Sequence, residues 1–297
     1  MSEIIYSNPT LFLIFKITSF IVGTFLGSFL NVCIYRIPYR KSILYPSSRC
    51  FLCQTPIDWY HNLPVIGYFI LGGRCKYCHQ RFSIRYAVIE FLMGIISLSL
   101  FVNSPNLYDY FVSLYFMGAV IVLSFIDIDH WLLPDKITLP SILLGIFLAL
   151  FGHTLPSGTY VDIRSSLIGA FVGVFVLYLF GYIMSKILGK EALGGGDIKF
   201  MGMIGAFLGW RSFIPVLLMA ALQGSIFGII QIIYYKRREK NVPVLDNNGI
   251  YSVFKDKSDM FNPTSHHIPF GPFLGLAAYE YLLWGNRLIH SIFGLNF

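Results

Sequence analysis

The stretch "SFIDIDHWLLPD", residues 124–135, decides how this chain is read. It closes a long apolar run with three carboxylates, Asp127, Asp129 and Asp135. Ionisable groups at the end of such a run are costly to remove from water, so a membrane sequence carries them for a reason. The reading turns on whether any of the three has a partner elsewhere in the chain.

The composition supplies the setting. The 297 residues are 56% hydrophobic and 12% charged, and the mean hydropathy is +0.66. A soluble chain carries about 25% charged residues, so a soluble all-helical protein is set aside. Apolar runs at roughly 11–35, 84–102, 108–126, 137–153, 165–186, 198–210, 212–235 and 270–294 approach the ~20 residues of a membrane helix. The expected fold is an all-α polytopic membrane protein with about eight transmembrane helices. The 198–210 run is short and Gly-rich and also suits a helix enclosed by protein. A cleavable signal peptide is not expected: residues 1–10 lack a basic n-region, and the first apolar run ends in "YRIPYRK".

Basic residues orient the chain. Segment 36–85 carries Arg36, Arg40, Lys41, Arg49, Arg74, Lys76, Arg81 and Arg85; segment 186–199 carries Lys186, Lys190 and Lys199; residues 236–240 read "KRREK". The loops at 103–107 and 154–164 hold only Arg164. The positive-inside rule places the three basic segments in the cytoplasm, with both chain ends outside. The net charge of +7 is then mostly topology. It suits anionic membrane lipid and gives no support to nucleic-acid binding.

In this topology a second carboxylate reaches the same face. In "EALGGGDIKF", 191–200, Asp197 follows Gly194, Gly195 and Gly196, which permit close backbone approach. A pair such as Asp127 and Asp197 suits acid–base hydrolysis: proximity splits their titration, so that one is ionised to activate water while the other holds a proton. Helix capping, pairing with a nearby lysine and an ion pathway remain alternatives for either residue alone. Asp129 and Asp135 read as local hydrogen-bonding or capping groups.

The segment after the first span holds a different pattern. Cys50–Cys53 and Cys75–Cys78 are two CxxC knuckles separated by residues 54–74, a spacing that suits a tetrahedral four-cysteine zinc site. A reducing cytoplasm favours zinc over disulfides, and an insert this short gains from a metal staple. Redox cysteines are the alternative. "CKYCH" also fits a haem-attachment pattern, but the partner CxxC and the cytoplasmic placement argue against it. Cys33, within the first span, reads as a buried apolar residue. His61 and His79 read as surface groups or neighbours of the ligands.

These motifs together resemble the type IV prepilin peptidases, membrane aspartyl proteases of the GxGD class. "DIDHWLLPD" and "GGGDIKFMGMIGAFLGW" carry the resemblance, with Pro134 seven positions after Asp127 and Asp197 ending "GGGD". "GSFLNVCIYRIP", 27–38, and "HIPFGPFLGLAA", 267–278, extend it to nearly the whole chain in order. The resemblance implies that Asp127 and Asp197 are the catalytic pair, with Gly194 and Gly196 supporting the catalytic loop. It implies division into a first transmembrane helix (1–36), a zinc-binding insert (37–83) tied to methyltransferase activity, and a peptidase core (84–297) with a cytoplasmic loop near 236–269.

In bifunctional members the insert accompanies methylation of the trimmed N-terminus by S-adenosyl-L-methionine. Substrates are prepilins or pseudopilins with a short basic leader, Gly before the cut, usually Phe after it, and an apolar helix. The implied location is the bacterial cytoplasmic membrane, with the site facing the cytoplasm. Phe51 stands where the family often has Pro after the first cysteine. No Gly-rich nucleotide loop marks where the methyl donor binds. Glu90, in "RYAVIEFLMG", is a candidate polar group near that face, or a partner for Arg81 or Arg85. A peptidase without methyltransferase activity, an ion-coupled transporter and a non-catalytic scaffold compete with this reading.

Overall fold

In the computed structural model, residues 8–45, 47–50, 52–189, 193–239 and 269–293 are described. Most of the loop expected near 236–269 lies outside them, as do Phe51, Lys190 and Lys240. Helix α1 (Pro9–Arg36) starts where Asn8 Oδ1 accepts from the N–H groups of Thr10 and Leu11, at 3.0 and 3.3 Å. The insert follows, with a 3-10 turn (Trp59–Asn62) and a single-turn helix α2 (Ile66–Ile70).

The core is α3 (Arg85–Asn103), α4 (Leu107–His130), α5 (Asp135–Leu148), the two-residue antiparallel strands β1 (His153–Thr154) and β2 (Tyr160–Val161), α6 (Ile163–Leu188), α7 (Gly195–Leu208), a 3-10 turn (Trp210–Ser212), α8 (Phe213–Glu239) and α9 (Gly271–Phe293).

Every apolar run falls on a helix, and five of the eight expected spans have the length and apolarity of a membrane crossing. Among the described residues, five helices are long and apolar enough to cross a membrane: α1, α3, α4, α6 and Trp210–Tyr234. Helices α5 and α7 have 14 residues each, about 21 Å at 1.5 Å per residue, against a hydrocarbon core of about 30 Å. Helix α9 has 23 residues, but Glu280, Asn286 and Arg287 dilute its apolar character. From Phe200 to Leu208 every residue of α7 is buried, so this short helix is enclosed by its neighbours.

Two helix pairs approach unusually closely, each through small residues that let backbones meet. Gly23 and Gly27 of α1 lie against Met93, Gly94 and Glu90 of α3; a Cβ on Gly23 would come within 2.6 Å of the Met93 carbonyl oxygen. Ser97 Oγ seals this pair by donating to the Ser19 carbonyl at 2.6 Å. Gly169 and Gly173 of α6 meet Gly205 and Met201 of α7 in the same way, and Ser166 Oγ donates to the Ala206 carbonyl at 2.7 Å. Helix α4 runs between them, with Leu123 and Ile126 fully buried, and touches both α1 and α9.

The end opposite the insert is closed by the β1–β2 ribbon. His153 is buried and its Nε2 donates to the Phe207 carbonyl at 2.9 Å. Asp109 Oδ1 accepts from the Thr154 N–H at 3.0 Å, and Thr159 Oγ1 donates to Asn286 of α9 at 2.7 Å. These ties fix the core at the far end, so that the helix ends near the insert are held in register.

Candidate active site

Helix α4 runs to His130, beyond the end expected near residue 126, so Asp127 sits within its last turn. Trp131 ends the helix in the left-handed conformation (φ 54°), and its N–H donates to the Asp127 carbonyl at 2.9 Å. The Asp127 side chain is 6% exposed. Its Oδ2 accepts the N–H of Gly271, the first residue of α9, at 2.9 Å. A Cβ on Gly271 would lie 2.6 Å from that oxygen, so glycine is what lets the α9 N-terminus reach the carboxylate.

Asp197 is the third residue of α7, where the helix N-terminus favours negative charge. It is close enough to Asp127 to interact with it electrostatically. The three preceding glycines differ in their surroundings. A Cβ on Gly196 would meet Leu133 Cβ at 2.9 Å, and one on Gly194 would meet Asp197 Oδ2 at 3.3 Å, whereas Gly195 faces open space. The middle glycine is thus the one free to vary, matching the x of GxGD. The fold therefore brings together the sequence-predicted Asp127, Asp197, Gly194 and Gly196, and Leu133, in the linker after α4, seats the α7 turn beside α4.

Asp129 and Asp135 take part in ion pairs rather than helix caps. Arg85 Nη1 lies 2.7 Å from Asp129 Oδ1, joining the start of α3 to the end of α4. Lys199 Nζ lies 2.6 Å from Asp135 Oδ1, joining α7 to the first residue of α5. Neither partner was evident from the sequence, since the residues are 44 and 64 positions apart.

In the insert, Cys50, Cys53, Cys75 and Cys78 converge, with all four Sγ atoms within 4.8 Å of one another. Cys50–Cys78 and Cys53–Cys75 are 3.6 and 3.9 Å apart. A tetrahedral zinc with Zn–S near 2.3 Å demands sulfurs about 3.8 Å apart, so the donor set fits a zinc ion and is far from disulfide distance.

The knuckles are built alike. The Cys50 and Cys75 N–H groups donate to the Thr55 and Gln80 carbonyls, at 3.0 and 2.8 Å. Gln54 and His79 follow each second cysteine, both at φ 55°. Hydrogen bonding from Thr55 holds the Cys53 thiol down at about 6 and the N–H groups of Cys78 and Tyr77 lower Cys75, whereas Cys78, crowded by the other three sulfurs, is raised to about 11. The histidines stay outside the cluster: His61 Nδ1 is 3.3 Å from Asp58, and His79 forms the knuckle turn. Cys33 is buried in α1 as expected.

Glu90 pairs with neither Arg81 nor Arg85. Its Oε2 accepts the N–H of Val65 at 2.7 Å, so α3 holds the insert directly. Val65 has φ 62° and ψ −55°, and the Ile66 N–H donates to the Pro64 carbonyl at 2.6 Å across it, which makes a γ-turn. A β-branched residue in that region is strained by about 1–3 kcal/mol, and the sequence carried no signal of it.

Comparison with known proteins bears on this arrangement. The bacterial peptidase A24 N-terminal domain matches residues 21–104, and the type IV leader peptidase family matches residues 114–229. A prepilin leader peptidase/N-methyltransferase of Myxococcus xanthus is 33% identical, over 93% of this chain and 92% of its own. Proteins of the same description from Aeromonas salmonicida and Pseudomonas aeruginosa are 30% and 27% identical, over 91% and 94% of this chain and 90% and 93% of their own. No solved structure matches.

Proposed function

This chain belongs to the type IV prepilin leader peptidase/N-methyltransferase family, peptidase A24, and we propose that Asp127 and Asp197 are its hydrolytic pair. The observation that carries the assignment is their convergence: Asp127, in the last turn of α4, is tied to the N-terminus of α9, and Gly196, next to Asp197 at the start of α7, stands against Leu133 just after α4. The protein is a multi-pass membrane enzyme of a bacterial family. Its substrates are prepilins or pseudopilins with a short basic leader, Gly before the cut and an apolar helix after it.

The pair shares a proton between two neighbouring carboxylates. The ionised member takes a proton from water as its oxygen attacks the scissile carbonyl. The protonated member hydrogen-bonds the carbonyl oxygen and then supplies the proton with which the amine departs. The Gly271 N–H fixes the Asp127 carboxylate throughout. The Arg85–Asp129 and Lys199–Asp135 pairs hold the ends of α3, α5 and α7 around it.

The excess of basic residues in segments 36–85 and 186–199 supports a cytoplasmic position for this face. The reading counts α5, α7 and α9 with the five longer helices as eight crossings, which keeps "KRREK" on the same side. The division at 1–36, 37–83 and 84–297 follows the change from first span to insert to core, and Gly194 and Gly196 shape the turn that presents Asp197. A pilin helix stays in the bilayer while its leader lies outside, which brings the scissile bond to the depth of the pair.

Zinc held by Cys50, Cys53, Cys75 and Cys78 supplies a cross-link between the two knuckles. S-adenosyl-L-methionine, when bound, supplies an electrophilic methyl group. The insert and the start of α3 lie next to the pair, since Arg85 reaches Asp129 and the Tyr39 ring meets His130 edge-on at 5.5 Å.

Mass spectrometry of a purified prepilin incubated with the protein, with and without S-adenosyl-L-methionine, tests both activities. The expected product is cut after the leader Gly and is about 14 Da heavier only with the methyl donor present. Intact prepilin in both samples would exclude the peptidase reading.

A further inference from the structure

A cavity of about 550 Å³ lies between α1, the insert and α3. Small-molecule sites occupy roughly 300–1,000 Å³. Its walls combine one carboxylate, Glu90, with cations that include Lys41 and Arg49 and with tyrosines that include Tyr45 and Tyr86. Among the described residues Glu90 forms no ion pair with lysine or arginine; its Oε2 accepts the Val65 N–H. We infer that this cavity binds the methyl donor, an adenosyl sulfonium amino acid, with Glu90 set against its cationic sulfur and amino end. The inference rests on the methyltransferase reading of the family and adds where the donor sits.

The chemistry of the wall matches that ligand part by part. The donor carries a sulfonium and an ammonium, which a carboxylate in a partly desolvated site attracts strongly. It also carries a carboxylate, for which Lys41 and Arg49 are complements, and an adenine, for which tyrosine rings offer stacking faces. A basic leader peptide fits less well, since the cations on the wall repel it.

The position suits transfer. Tyr86 lines the cavity and its neighbour Arg85 is paired with Asp129, two residues after Asp127, so the start of α3 is common to the cavity wall and the surroundings of the carboxylate pair. The neutral amine of that residue takes the methyl carbon. The carbon–sulfur bond breaks with its electron pair on sulfur, leaving the neutral thioether, and the amine loses a proton to solvent. The strained Val65 turn has a role here: its N–H holds one Glu90 oxygen, which orients the carboxylate and ties the insert wall to α3.

The test uses the full-length, zinc-loaded protein in detergent and reads binding rather than turnover. Labelled S-adenosyl-L-methionine is cross-linked to the unmodified protein with ultraviolet light, and the labelled peptides are mapped. Label on residues 28–90 is expected; label confined to the 193–239 region would overturn the site while leaving the methyltransferase reading intact. No donor bound anywhere would overturn both.

Equilibrium dialysis of Glu90→Gln then separates charge from shape. Affinity for the sulfonium should fall about tenfold or more, and affinity for S-adenosylhomocysteine, which keeps the ammonium but lacks the sulfonium charge, should fall less. Equal losses for both ligands, with zinc retained, would overturn a contact of Glu90 with the sulfur, and no loss for either would overturn its role altogether. Val32→Trp fills the cavity from α1 and should abolish binding of both; undiminished binding in that variant would overturn the cavity.

Discussion

The N–H of Gly271 donates to Asp127 Oδ2 over 2.9 Å, joining the first residue of α9 to the last turn of α4 across 144 positions of sequence. The bond fixes one carboxylate of the proposed pair from a helix that supplies no acid of its own to it. It also explains a glycine at that position, because any side chain would drive into the oxygen it must approach.

Asp127→Asn and Asp197→Asn should each lower prepilin cleavage by more than ~100-fold, since Asn keeps the shape but neither ionises nor carries the proton. Both proteins should remain membrane-inserted. Asp129→Asn and Asp135→Asn should keep substantial activity, because their partly exposed ion pairs contribute only ~0–1 kcal/mol. Robust cleavage by Asp197→Asn in a leader-processing assay would remove the assignment.

The glycines should separate by surroundings. Gly271→Ala and Gly196→Ala introduce a methyl group where Asp127 Oδ2 and Leu133 Cβ already stand, at 2.6 and 2.9 Å. Overpacking of this kind costs ~1–3 kcal/mol, and either shift of the pair should slow cleavage about tenfold or more. Gly195→Ala meets nothing and should cleave within about twofold of the unmodified protein. Comparable loss at all three positions would mean that the turn needs backbone freedom rather than space.

Elemental analysis of protein purified without chelator should find about one zinc per chain, the stoichiometry of a four-thiolate site. Replacing Cys50 and Cys53 together with Ser should remove the metal and loosen the insert, seen as faster proteolysis between residues 37 and 83. A protein free of zinc, or a Cys50–Cys53 disulfide in cells, would contradict the sulfur geometry.

The two activities should come apart. A synthetic, already trimmed pilin peptide with a free N-terminal Phe should accept labelled methyl groups from the Asp197→Asn protein, because methyl transfer needs a neutral amine and not an activated water. The double Ser replacement at Cys75 and Cys78 should impair that transfer. Transfer lost in a folded Asp197→Asn protein would mean that both reactions share one site.

Much of this was legible in local pattern. Apolar runs located every helix of the core, because a membrane helix must satisfy its backbone internally and shield its length with apolar side chains. The cysteine spacing pointed to the four-cysteine cluster, because each knuckle is a local turn closed within a few residues. The two Asp motifs pointed to each other through the alternation of spans.

Tertiary structure decided what local pattern does not encode. Hydropathy does not distinguish a helix shielded by neighbours from one shielded by lipid, so the short, Gly-rich 198–210 run suited either, and packing showed α7 enclosed from Phe200 to Leu208. Ion pairs and hydrogen bonds between distant residues depend on which helix ends meet. Arg85 therefore found Asp129 rather than Glu90, Glu90 took the N–H of a strained Val65, and Asp127 was completed by Gly271.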